Sequence, residues 1–226
     1  MKKKRTLAQK INILRAAVMG ANDGILSVAG IVVGVAGAST DNFAIFISGI
    51  AGMLAGSVSM AMGEYVSVHA QKDAQKKAIM EQEVALKNNY QHEFDFVKEK
   101  YLARGIAPEL AHKATYEMMT KDPVRTTIRE RFGFDVQNVI NPYDAAFASL
   151  VSFPIGSILP LASISLSNPS DRVFITFIAV IIALAITGYS AAILSKANRW
   201  RGVLRNVISG ILTMAVTYTI GTLIGG

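Results

Sequence analysis

The sequence predicts an all-α polytopic membrane protein, with five transmembrane helices and a three-helix cytoplasmic domain between spans two and three. Three observations carry this expectation. Lys, Arg, Asp and Glu crowd into residues 70–142 and nearly vanish from the flanks, although the 226-residue chain averages only 17% charged. Each flank divides into apolar stretches of about 20 residues or more, enough for a helix to cross a hydrocarbon core of about 30 Å. Basic residues fall almost wholly on one side of the implied membrane. Three parts follow: residues 1–69 hold spans one and two, 70–142 form the polar helical domain, and 143–226 hold spans three to five.

The spans are expected over residues 11–38, 42–68, 143–167, 172–194 and 202–226. Ser39-Thr40-Asp41-Asn42 supplies the turn between the first two, and Ser167-Asn168-Pro169-Ser170-Asp171 the turn between the third and fourth. With the N-terminus inside, six basic residues up to Arg15, twelve in 70–142 and four from Lys196 to Arg205 share the inner side, and Arg172 alone lies outside. The C-terminus is then outside. The net charge of +7 is accounted for as a positive-inside signal rather than a nucleic-acid footprint.

Several function classes drop out. With no cysteine in the chain, disulfides, thiolate metal sites and cysteine catalysis are excluded. The first apolar stretch is too long for a signal-peptide core and lacks a cleavage site. A short chain without targeting signals is expected in a bacterial plasma membrane. No HExxH or Gly-x-Ser-x-Gly motif and no intramembrane Asp pair is present, so no enzyme is expected, and no resident cofactor. Gly20/Gly24, Gly30/Gly34, Gly49/Gly52/Gly56/Gly63 and Gly221/Gly225 have the spacing that lets helix backbones approach in lipid, the last pair serving either packing or a dimer seam.

An acidic side chain at membrane depth is disfavoured by several kcal/mol and points to function. Asp23 lies about twelve residues into the first span, about 18 Å along its axis. Asn22 beside it offers a polar partner and Gly24 a weak point in the helix. Glu64 lies one turn from the inner end of the second span. With no basic residue deep in any span, a cation or a proton is expected to neutralise both. Met53, Ser57, Met60 and Glu64 recur at helical spacing and line one face. Carboxylate oxygens suit Fe²⁺ and Mn²⁺, and a thioether disfavours Mg²⁺ and Ca²⁺. Pro154 and Pro160 in the third span free backbone carbonyls that need partners or a polar cavity.

In the polar domain, residues 69–104 read as one helix closed by Gly105. A second starts at Pro108 and closes at Asp122, and a third covers 123–132. Glu81, Asn88, His92, Asp95 and Glu99 partly share a face, as a solvated surface or as a metal-binding stripe. Glu117, Met118, Met119 and Asp122 combine soft and hard metal ligands.

Ala21-Asn22-Asp23-Gly24-Ile25 and the run from Ala55 to Val68, with Ser-Met-Ala-Met-Gly-Glu-Tyr at its centre, resemble the vacuolar iron transporter family. So do Ser152-Phe153-Pro154-Ile155-Gly156 through Leu159-Pro160-Leu161, and Thr217-Tyr218-Thr219-Ile220-Gly221. The resemblance implies a homodimer of five-helix protomers with its pathway near the dimer interface. It also implies export of Fe²⁺ or Mn²⁺ from the cytosol against protons, through Asp23, Met60 and Glu64. Glu99, Met118, Met119 and Asp122 match the family's metal-gathering residues, whereas Ala85, Asn88 and Phe96 stand where glutamates are expected. The residues by themselves also fit a non-transporting scaffold or sensor whose polar domain binds a partner.

Overall fold

A computed structural model describes residues 7–136 and 141–225. The described residues form eight helices: α1 (Leu7–Ala38), α2 (Asn42–Asn88), α3 (Tyr90–Ala103), α4 (Pro108–Lys121), α5 (Pro123–Phe132), α6 (Pro142–Leu166), α7 (Arg172–Leu194) and α8 (Arg199–Gly225). Five of them, α1, α2, α6, α7 and α8, are long and apolar enough to cross a membrane. The chain is an all-helical integral membrane protein. Two compact units divide the described residues, one of 10–66 with 142–225, the other of 7–9 with 67–136 and 141.

In the membrane unit α1 is the buried element. Val28, Ala29, Val32 and Val33 are fully enclosed, with Phe153 from α6, Leu184 from α7 and Met214 from α8. Small residues make these crossings close. A β-carbon at Gly156 would fall on the Ala21 carbonyl, and one at Gly221 on the Gly34 carbonyl. Backbones touch at both places, so any larger side chain would force the helices apart. Gly221 and Gly225 thus face α1 of their own protomer, which decides for packing over a dimer seam.

Both prolines lie inside α6, which remains helical from end to end. Pro154 has no N–H to give the carbonyl four residues back, that of Leu150. Ser57 Oγ, on α2, donates to this carbonyl at 2.9 Å and supplies the missing bond. Asn22 does not turn toward Asp23: its Oδ1 accepts from Asn206 Nδ2 of α8 at 2.9 Å and from Thr187 Oγ1 of α7 at 3.4 Å. Gly24 is no weak point either, since α1 runs unbroken through it and Ser157 Oγ donates to its carbonyl at 3.2 Å.

In the polar unit the expectation of one helix over 69–104 is corrected. That helix is the end of α2, and it stops at Asn89, whose φ of −153° and ψ of 80° are not helical. The Asn89 N–H closes α2 on the Ala85 carbonyl at 2.9 Å, and its side chain accepts from the His92 N–H at 3.1 Å. One asparagine therefore ends α2 and caps α3. Gly105 (φ 81°) ends α3, with Gly105 N–H on the Leu102 carbonyl and Ile106 N–H on that of Tyr101. Asp122 caps α5 by accepting from Arg125 N–H at 3.0 Å. Leu86, Phe94, Val97, Tyr101, Ala111 and Met119 form the core of this unit.

Candidate functional site

Asp23 and Met60 line one cavity of about 480 Å³, with Ser27 and Ile31 of α1, Gly52, Gly56 and Ser59 of α2, and Phe153 of α6. The Asp23 carboxylate is exposed on the protomer and, among the described residues, accepts only the Ser27 hydroxyl, at 3.2 Å. Among the described residues no basic side chain pairs with it. An ionised group at this depth in hydrocarbon is strongly disfavoured, so something polar has to cover or neutralise it.

Glu64 is not part of that cavity, and the expectation that it lacks a basic partner is corrected. Arg15 Nη2 lies 3.0 Å from its Oε2 and 3.3 Å from its Oε1. The same guanidinium donates to Asn12 Oδ1 at 3.2 Å and approaches Met19 Sδ at 3.3 Å. Sequence reading missed the pair by treating Arg15 as headgroup charge alone. Counted from Thr40 in the connecting turn, Arg15 and Glu64 are each about 25 residues away, so antiparallel helices rising about 1.5 Å per residue bring them level. Arg15 is half-exposed (48%) and Glu64 is not (10%). Exposed or half-exposed ion pairs are worth about 0–1 kcal/mol, so Arg15 shields Glu64 without locking it.

The remaining candidates in the polar unit do not converge on one site. Glu81, Glu99 and Glu117 are exposed, on α2, α3 and α4 respectively. The break at Asn89 divides the expected stripe between two helices. Asp95, on its second part, is already occupied by Lys98 Nζ at 2.7 Å and Gln91 Nε2 at 3.1 Å. The Lys98 hydrogen bond, then that of Gln91, hold its carboxyl below the usual range. Met119 is core at 1% exposure. Met118 Sδ stands 3.6 Å from the Arg129 guanidinium and 3.7 Å from the Tyr101 hydroxyl. Met118 and Asp122 share a cavity of about 400 Å³ with Lys121, Arg125 and Arg129, whose positive charge opposes a cation there. Among the described residues, no three His, Asp or Glu side chains lie close enough to hold a metal ion.

Sequence reading also passed over two buried acids of this unit. Glu93 (3% exposed) takes Arg131 Nη2 at 2.8 and 3.0 Å and Gln82 Nε2 at 2.5 Å. Glu130 takes Arg104 at 2.9 Å, Arg129 at 3.2 Å and the Tyr101 hydroxyl at 3.1 Å. Both are spent on arginines and organise the fold.

Comparison with known proteins identifies the family. Residues 14–222 match the model of the VIT family. A "Vacuolar iron transporter" of Acanthamoeba castellanii is 33% identical over 212 residues, covering 93% of this chain and 78% of that protein. "Vacuolar iron transporter homolog 1" of Oryza sativa subsp. japonica is 35% identical over 213 residues, covering 94% and 74% respectively. "Vacuolar iron transporter homolog 2.1" of Arabidopsis thaliana is 30% identical over 221 residues, 96% of this chain and 84% of its own. The family match includes α1 from before Arg15 through Asp23, all of α2, and the α6–α8 bundle that supports them. The chain belongs to the VIT family.

Proposed function

We propose that this protein transports a divalent transition metal, Fe²⁺ or Mn²⁺, out of the cytosol in exchange for protons. Asp23 carries the reading: a carboxylate within a spanning helix, without a basic partner among the described residues, on a cavity shared with the Met60 thioether. Such a group is neutralised by a cation or a proton, and one that alternates between the two is an exchanger. The names of the relatives favour iron as one cargo.

The positive-inside bias places the N-terminus and the polar unit in the cytosol, so Glu64 stands at the cytosolic end of the path. An arriving ion displaces Arg15 from Glu64, passes the Met60 sulfur and is held by Asp23. Protons from the far side then neutralise the carboxylates and release it. One protomer offers too few oxygens to replace the water of a divalent ion. The exposed edge of α1 through Arg15, Met19, Asp23 and Ile31 gives a second copy a surface to cover. A homodimer closed there would supply two copies of Asp23 and Met60. In the polar unit, the exposed Glu81, Glu99 and Glu117 meet ions singly, Glu81 from beside Lys77 at 3.8 Å, ahead of Asp122, Met118 and Met119.

Proteoliposomes test the reading directly. Saturable Fe²⁺ or Mn²⁺ flux, accelerated by an opposing pH gradient, is expected, and no flux of either ion under any gradient would sink it. Orientation is read by thiol labelling in intact cells, where Ser39→Cys and Ser170→Cys react from outside and Ala78→Cys does not. Labelling at position 78 would reverse the direction of transport.

Arg15 gives a further expected result. Arg15→Gln removes the tethered cation that competes for Glu64, an interaction of about 0.2–1 kcal/mol, so half-maximal flux should need about 1.4- to 5-fold less metal. Maximal flux should stay the same. An unchanged or higher half-saturation would mean that Arg15 does not guard the entrance.

A further inference from the structure

At the end of the bundle opposite Arg15 lies a buried cation that transport leaves unexplained. Arg172 opens α7 and is 4% exposed. Its Nη1 donates to Asn42 Oδ1 at 2.6 Å and its Nη2 to the Ser39 carbonyl at 3.3 Å, just past the end of α1. Both acceptors are neutral. Among the described residues no carboxylate forms an ion pair with it: Asp41 is engaged with the Phe43 N–H at 2.9 Å, and Asp171 is exposed. A guanidinium has five N–H groups in a planar fork, so two single bonds leave donors and a full positive charge to satisfy. Burying a charge without an opposite partner is strongly unfavourable, which sets Arg172 apart from the arginines of the polar unit, each on a carboxylate.

Arg172 borders a cavity of about 290 Å³, lined also by Asn42, Phe43, Ile45, Phe46, Ile164 and Ser165. Here α1 and α6 end and α2 and α7 begin, so the cavity lies where the spans leave hydrocarbon. Its walls are divided accordingly. Asn42, Ser165 and the guanidinium are polar, whereas Phe43 and Phe46 are 70% and 43% exposed and suited to alkyl chains. A planar fork matches the oxygens of a phosphate, and a phosphate with an attached apolar tail matches both kinds of wall.

We propose that this cavity binds the phosphate of an anionic phospholipid headgroup through Arg172, with the start of an acyl chain against Phe43 and Phe46. The bound lipid supplies the negative charge that the protein does not, and it pins the α1–α2 turn to the start of α7. The site does not depend on the transport reading.

The test uses the full-length protein, delipidated in detergent and titrated with phosphatidylglycerol, phosphatidylcholine or inorganic phosphate. Native mass spectra should retain one phosphatidylglycerol per protomer, and its addition should raise the unfolding midpoint by several degrees. Phosphatidylcholine should do so at least 10-fold less effectively, and inorganic phosphate not at all. Arg172→Gln should lose both effects. Ser165→Glu keeps Arg172 and gives it a carboxylate within the cavity, so it should fold normally and retain about 10-fold less lipid. Equal retention of the two lipids, or full retention by Ser165→Glu, would overturn the proposal. A shift from inorganic phosphate equal to that from the lipid would replace the lipid with a free anion and overturn it as well.

Discussion

Asp23→Asn should lower metal flux by about 100-fold or more while the protein still folds and assembles. A divalent ion about 4 Å from a carboxylate gains about 8 kcal/mol at an effective dielectric of about 20, much of it offset by dehydration. If even a third of this survives, removing the charge costs about 2.7 kcal/mol, a factor of about 100. Folding is spared because the asparagine Oδ1 still accepts the Ser27 hydroxyl, the one bond Asp23 makes. Initial rates in liposomes, at matched amounts of monodisperse protein, measure the effect. Normal flux in the Asn variant, together with an Ala variant that unfolds, would make Asp23 structural.

Arg131→Leu should loosen the polar unit without touching the path. It strands the Glu93 carboxylate, 3% exposed, with Gln82 and His92 as its remaining neighbours. Breaking one side of a buried pair costs about 3–5 kcal/mol, and the lower end applies because the Arg131 side chain is 32% exposed. Amides of α3 and α5 should therefore exchange hydrogen about 100-fold faster, with maximal flux preserved. Adding Glu93→Gln removes the stranded charge and should recover part of the loss. Exchange that stays at the wild-type rate in Arg131→Leu would show that the pair does not hold these helices.

Much of the fold is legible because hydrocarbon tolerates so few residue types. The expected spans agree with α1, α6, α7 and α8 within four residues or fewer, and with the start of α2. Asp122-Pro123 likewise opens α5, since a cap and a first-turn proline each have a local cause. The break at Asn89 escaped notice because water tolerates both a continuous and an interrupted polar helix. Its cap is one asparagine among many polar residues. Asp23, Met60 and Glu64 stand out as rare residues in apolar spans. What each one faces depends on depth and rotation together, so the Arg15–Glu64 contact and the direction of Asn22 came only from the assembled helices. Glu93 and Glu130 are two acids in a segment rich in them. Burial alone distinguishes them, and burial is a property of three helices at once.

The glycine contacts also bear on how a path through this bundle can open and close. Where α1 meets α6 and α8, at Gly156 against Ala21 and Gly221 against Gly34, backbone rests on backbone, with no side chain between to change rotamer. Where α2 meets its neighbours, Gly49, Gly52 and Gly56 face side chains instead, those of Leu161, Val32, Ile31 and Phe153. A shift of α2 is therefore expected to be easier to absorb than a shift of α1. On the transport reading the bundle is expected to work like a lock, with α1, α6 and α8 as the housing that carries Asp23. The expected bolt is α2, which carries Met60 and Glu64.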